Sequence, residues 1–334
     1  MAYATFLPGQ AARQPEQPDV LGYFYNNGGL SNQKMALSGL LLAGVAKRTA
    51  INLPYIHIKD QRIEAEWLAR FDDVFEIEPI ISFSRQFGIP QIGMVPSGER
   101  GGWPFFFTFG ENLKRSDQPV AVQLLLMALI AIRPKIVSDP KFNALKNFVF
   151  ASLGVQTTLQ MRIERDWGPH AQGLLPKTAG KDDIAIGFDE ILRRTANTFP
   201  DLRLAYVTAD EFSMPVPKEE IRAYALDRFG IRLIWKSDLI KLEEFSALDL
   251  SLIDFEIARY SPRFIGLSYS TFSNLLCLEK FANQRNSVTG HFIYNHPGEI
   301  LRERSDNGFA ILSAEVVEKN WSDRLWVEAE PRSA

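Results

Sequence analysis

A chain of 334 residues is too long for one ordinary core and predicts two domains. With 46% hydrophobic and 23% charged residues it is globular material, and a net charge of −3 gives no general attraction for nucleic acid or an anionic membrane. Any phosphate must then be met by local positive charge, and the single cysteine, Cys277, excludes an internal disulfide and fits a reducing, cytoplasmic compartment.

In chain order, residues 1–19 are rich in Pro, Gln and Ala and lack the apolar core of a signal peptide. Residues 20–26 read as a buried strand, and Gly28-Gly29-Leu30 supplies a tight turn. Ser31 is placed as the N-cap of a helix to about Arg48, with Leu37, Leu40, Leu41 and Val45 at helical spacing. A strand over 50–56 completes a βαβ unit. A short helix near 63–71 and a strand near 74–77 follow, then an unassigned stretch over 79–119. Helices over about 118–132 and 141–153 close this half. The apolar run 120–132 contains Gln123 and is too short to span a bilayer, so no integral membrane segment is expected. The boundary is placed near Gly154, giving units 1–153 and 154–334.

The second unit alternates regularly. Strands over about 155–161, 202–208, 231–236 and 264–267 are interleaved with helices over 182–199, 217–229, 246–260 and 271–284. That alternation predicts a doubly wound parallel sheet, which binds ligands beyond the carboxyl ends of its strands. Arg162, Thr208, Asp210 and the segment 268–272 all fall at that edge.

Each polar candidate there has a chemical reading and a structural one. The Arg162 guanidinium can grip a diphosphate in forked geometry, or pair with Glu164 or Asp166. One such charge about 4 Å away is worth roughly 4 kcal/mol at an effective dielectric near 20, before desolvation. Asp166 and Trp167 are placed to orient it and pack its loop. Ser270 and Thr271 start a helix, where hydroxyls and free N–H groups either hold phosphate oxygens or cap the helix. Asp254 offers two acceptors for the ring N–H and exocyclic amine of guanine, or is a solvated helix carboxylate. At the head of the first helix, Gly28 and Gly29 allow close ligand approach and Asn32 offers a donor and an acceptor. The turn lacks the glycine spacing of a dinucleotide fingerprint. The four histidines show no metal-ligand spacing, no carboxylate cluster suggests magnesium, and no metal is expected. Cys277 falls on an apolar helix face, and the aromatic run 103–109 lines an acceptor groove or packs in the core.

Four of these motifs occur in an order that resembles the GDP-fucose O-fucosyltransferase family, and more distantly the fucosyltransferases that decorate chitin oligosaccharides in nodulation. They are Tyr23-Phe-Tyr-Asn-Asn-Gly-Gly-Leu-Ser-Asn-Gln33 with its helix, Arg162-Ile-Glu-Arg-Asp-Trp167, Leu204-Ala-Tyr-Val-Thr-Ala-Asp210, and Asp254 with Phe264 to Phe272. The resemblance implies a GT-B architecture, two Rossmann-like α/β domains facing a cleft, with the donor bound mainly by the second. It also implies metal-independent, inverting transfer of fucose from GDP-fucose, a substrate rather than a cofactor, to a hydroxyl on a glycan or protein. Carried onto this chain, Arg162 resembles the arginine that binds the β-phosphate and glycosidic oxygen. Asn32 resembles the asparagine that reaches the reacting centre, Asp254 the aspartate near guanine, and Ser270, Thr271 and Phe272 the phosphate segment. Glu164 and Asp166 are candidate supports or bases. Gln160 replaces a histidine of many members, whose nucleotide contact would then be absent or made by Gln160, and Gly29 replaces an arginine of some protein-modifying members. A catalytically silent GDP-sugar-binding module and a non-sugar Rossmann enzyme remain alternatives.

Overall fold

The computed structural model describes residues 20–97, 101–114, 119–178, 185–284 and 290–304. The reading of residues 1–19 and the start of the helix expected from 182 lie outside them. The strand expected at 20–26 is an extended segment whose ladder is reduced to one parallel bridge, Leu21 to Ile51. Helix α1 (Leu30–Lys47) follows. Ser31 does not cap it: Gly29 holds the N-cap position without a side-chain bond, and Ser31 is buried one residue inside the helix. A Cβ on Gly39 would lie 1.8 Å from the Phe105 carbonyl oxygen, so glycine there lets a later helix lie directly on α1.

The strand expected over 50–56 is split at Pro54 into β1 (Ile51–Asn52) and β2 (Ile56–Asp60). Where a helix was expected near 63–71, β3 (Ala65–Ala69) pairs antiparallel with β2. The strand expected near 74–77 is absent. Helix α2 (Phe71–Val74) and α3 (Glu78–Phe87), with Pro79 in its first turn, occupy the region, and Phe75 alone bridges Pro134. The unassigned stretch holds part of α3, β4 (Ile92–Gly93), parallel to β1, and α4 (Trp103–Lys114). Helices α5 (Pro119–Ala131) and α6 (Pro140–Asn147) complete the half, and Gly154, at φ 71°, turns the chain into the main sheet.

That sheet is built from β5 (Thr157–Gln160), β6 (Leu204–Thr208), β7 (Arg232–Trp235), β8 (Arg263–Gly266), β9 (His291–Ile293) and β10 (Arg302–Glu303). Between them run α7 (Trp167–Thr178), α8 (Phe188–Thr198), α9 (Lys218–Phe229), α10 (Ala247–Tyr260) and α11 (Thr271–Gln284). The order is β10-β9-β8-β5-β6-β7, with only β10 antiparallel to its neighbour. The chain runs outward from β5 through β6 and β7, then returns to β8 on the other side. This is the doubly wound arrangement expected, and it puts a topological switch point between β5 and β8. The N-terminal half has only two-residue strands in its parallel sheet.

Apolar packing continues across residue 154. Met35 and Leu42 of α1, Phe109 and Leu125 share one core with Phe255, Phe264 and Leu275, and Leu248 and Leu252 of α10 reach the N-terminal core. A buried ion pair between Lys34 of α1 and Glu279 of α11 crosses the same seam. Among the described residues no helix is long and apolar enough to cross a membrane.

Candidate functional site

Gln160 ends β5 and is buried. Its Nε2 donates to Ser270 Oγ at 3.0 Å, and its Oε1 accepts from Ser273 Oγ. Ser273 Oγ also accepts from the Leu267 N–H at 3.1 Å. Both ends of the amide thus bond to protein, and Gln160 fixes the segment after β8. Asn295, just beyond β9, grips the same segment: its Oδ1 accepts from the Ser268 N–H at 3.0 Å, and its Nδ2 donates to Ser268 Oγ at 2.8 Å.

The consequence is a helix N-terminus with a fixed direction. The Ser270 carbonyl accepts from the Asn274 N–H at 3.0 Å, and Thr271 opens α11. First-turn N–H groups have no acceptor within their own helix and carry the positive end of its dipole. Phe272 turns toward the protein, its ring 5.3 Å from that of Phe255 and 6.3 Å from that of Phe264.

Across the switch point, Arg162 leaves β5 with its backbone N–H on Tyr294 Oη at 3.3 Å. Its guanidinium lies 5.0 Å from the Trp167 ring. Nη1 donates to Glu164 at 2.8 Å and to Asp166 at 3.0 Å, and Nη2 to Asp166 at 3.0 Å. Burial disfavours the charged guanidinium, but Glu164 and Asp166 outweigh it and raise the pKa above the ordinary arginine value. Of the five guanidinium donors, the described residues take three, leaving two for a ligand. Glu164 is buried and its second oxygen accepts from the Asp210 N–H, whereas Asp166 is more than half exposed.

Asp254 is neither solvated nor free. Its Oδ1 accepts from the Tyr206 hydroxyl at 2.8 Å and its Oδ2 from Lys236 Nζ at 2.6 Å, and that ammonium also reaches the Ala209 carbonyl. Burial pushes the Asp254 carboxyl up to about 6, with Lys236 and Tyr206 pulling it back. Lys236 is held above the usual lysine value because Asp254 outweighs its own desolvation.

The remaining candidates lie at the head of α1. Gln33 ties that turn to β2, donating from Nε2 to the Gly28 and His57 carbonyls and accepting the His57 N–H. A Cβ on Gly28 would meet the Asn32 side chain at 2.8 Å, while one on Gly29 would meet nothing within 4 Å. The Oδ1 atoms of Asn26 and Asn32 are enclosed without hydrogen-bond partners. Among the described residues no hydrogen bond joins Asn32 to Arg162 or Ser270. The two groups are tied through the helices behind them by the Lys34–Glu279 pair.

Tyr206, Lys236, Ser273, Tyr294 and Asn295 were not singled out from the sequence. The last two carried a signal, the short apolar run Phe292-Ile-Tyr294 after Gly290, which marks β9. A separate cavity of about 300 Å³, lined by Phe142, Leu145, Leu239, Phe245 and Ile253 with Lys141 and Lys241, contains none of the candidate residues. Among the described residues no group of three or more His, Cys, Asp or Glu side chains could hold a metal ion.

The fold and its switch point define a mixed α/β protein with a doubly wound sheet. No protein-family model matches the chain, and no curated protein matches it. Among solved structures it is similar to POFUT1 in complex with GDP-fucose, at 13% identity and a TM-score of 0.50, covering 87% of this chain and 100% of that one. POFUT1 in complex with GDP gives the same identity and TM-score, covering 79% and 97%. At that identity the likeness shows a shared fold.

Proposed function

We propose that this chain is a GDP-sugar glycosyltransferase of GT-B architecture, with GDP-fucose as donor and an acceptor hydroxyl as nucleophile. The observation that supports the reading is that Arg162 follows β5 and the fixed N-terminus of α11 follows β8, at the carboxyl ends of the two neighbouring strands that flank the switch point. The fold in which they lie is shared with POFUT1, solved with GDP and with GDP-fucose. The diphosphate lies against the N–H groups of residues 271–273 and the two uncommitted Arg162 donors. Asn32 reaches the reacting centre from the head of α1. Asp254 serves the nucleoside end by holding Lys236 and the strand end at Ala209, rather than as a free carboxylate.

Departure of GDP leads the reaction through an oxocarbenium-like transition state: the bond from the anomeric carbon to the β-phosphate oxygen breaks. The acceptor oxygen bonds to that carbon from the opposite face with inversion, and the acceptor's proton passes to solvent. The helix N-terminus and Arg162 absorb the developing charge without a metal, a kind of stabilisation worth several kcal/mol. Glu164 and Asp166 both hold Arg162, so their proposed role is to orient it rather than to act as base.

Calorimetric titration with GDP, GDP-fucose, GDP-mannose, UDP-glucose and NAD, each with EDTA, tests the reading. GDP and GDP-fucose binding that survives EDTA supports it; no guanine-nucleotide binding, or binding of NAD alone, overturns it.

A further inference from the structure

The cavity of about 300 Å³ beside α6 and α10 is apolar within and basic at its mouth. Its most buried lining residues are Phe142 and Ile253, and Leu145 and Phe245 stand partly buried around them. Packed interiors seldom leave voids larger than a water molecule, so a space of this size needs walls that cannot fall inward. The wall from Leu239 to Phe245 is pinned from behind. The Leu239 and Ile240 N–H groups both donate to the Lys236 carbonyl at 3.0 Å. Arg62, at the β2–β3 turn, donates to the Leu242 carbonyl at 2.8 Å and to the Phe245 carbonyl at 3.0 Å, and is itself held by Asp60.

The mouth carries Lys141, Lys241 and Glu244, all exposed, which leaves one net positive charge. Lys241 and Glu244 form only a loose pair, 3.9 Å apart. Among the described residues nothing pairs with the Lys141 ammonium, whose backbone N–H alone bonds, to Asp139 at 2.7 Å. Lys141 stands in the first turn of α6, where the helix dipole favours an anion over a cation, and an anion at the mouth would offset that cost. We propose that this cavity binds a medium-chain carboxylate, with its alkyl chain on Phe142, Leu145 and Ile253 and its head between Lys141 and Lys241. The volume suits a chain of about eight to ten carbons, each near the size of a water molecule. The net charge at the rim fits a monoanion, and Glu244 disfavours a head with more negative charge. The cavity shares no residue with the candidate donor site, so the proposal stands or falls apart from the glycosyltransferase reading.

The test is calorimetric titration of the full chain with hexanoate, octanoate and decanoate, and with 1-octanol and octylamine as uncharged and cationic controls. Affinity is expected to rise about two- to fourfold per methylene until the chain fills the cavity. Octanoate should bind more tightly than 1-octanol, and octylamine most weakly. Lys141→Glu and Lys241→Glu should each weaken octanoate about fivefold and leave 1-octanol unchanged. Both side chains are exposed, and an acid in the first turn of α6 suits the helix dipole, so melting temperatures at or near wild type report that the variants are folded. Binding of none of the three acids, octanoate no tighter than 1-octanol or octylamine, or octanoate binding that both variants leave unchanged would overturn the proposal. GDP titrated into the same preparations reports on the donor reading separately.

Discussion

At the carboxyl ends of β5 and β8, Gln160, Ser268, Ser270, Ser273 and Asn295 hold one another in hydrogen bonds. At the head of α1, the Asn26 and Asn32 amide oxygens go unpaired and Gly29 faces open space. The first region has spent its polar groups on holding one shape, which under the proposed function would present a diphosphate with N–H groups already aimed. The second leaves two enclosed amide oxygens unpaired, so its polar groups do not lock one another in the same way. Under the proposed function, the rigid edge is the one that meets the diphosphate.

The largest way to break that contrast is at Arg162. Arg162→Ala should lower kcat by roughly 10²–10³-fold, by analogy with removal of a single transition-state donor, while the fold survives. Turnover near wild type would mean that the rigid edge does not bear the leaving-group charge.

Next is the buried pair behind that edge. Lys236→Met leaves the Asp254 carboxylate without its cation and should cost about 3 kcal/mol in denaturant unfolding at pH 8. The sign with pH follows from the raised carboxyl. Asp254 at about 6 binds its proton more tightly folded than unfolded, where its value is 3.8. Its contribution to stability is therefore greatest below about pH 4 and declines as pH rises through about 6. The variant's deficit should shrink near pH 5, where Asp254 is protonated, and an equal deficit at pH 5 and 8 would count against the pair.

A smaller effect is expected at Gln160. Gln160→Ala frees the Ser270 and Ser273 hydroxyls and should weaken GDP about tenfold, near the 1–1.5 kcal/mol net worth of such bonds. Unchanged affinity would show that the edge needs no such anchor. The smallest change sharpens the role of Asp166, whose exposed carboxylate holds Arg162 from the solvent side. Asp166→Asn should weaken GDP severalfold in calorimetry, and tighter binding would show that Asp166 competes with the ligand for Arg162 rather than orienting it.

The contrast also explains how much of the molecule its sequence discloses. Strands β5 to β8 are legible because buried runs, such as Tyr206-Val or Phe264-Ile, alternate with helices of ordinary length, whereas β9 and the exposed two-residue β10 were not expected. The N-terminal half is not, because β1 and β4 are two residues long and leave no periodicity to read. Ser31 fits the composition of an N-cap, but the turn seats Gly29 there. Arg162 is legible by its place after β5, and its pairing with Glu164 and Asp166 was one of the two readings open at that position. The burial of Asp254 was hidden, since its partners come from 18 and 48 residues away and meet it only when α10 covers β6 and β7.

The most direct measurement is a cocrystal structure of the full chain with GDP. The account predicts the β-phosphate within hydrogen-bonding distance of the N–H groups of residues 271–273 and of the Arg162 guanidinium. GDP seated away from the β5–β8 edge, or at that edge with Arg162 held only by Glu164 and Asp166, would contradict it.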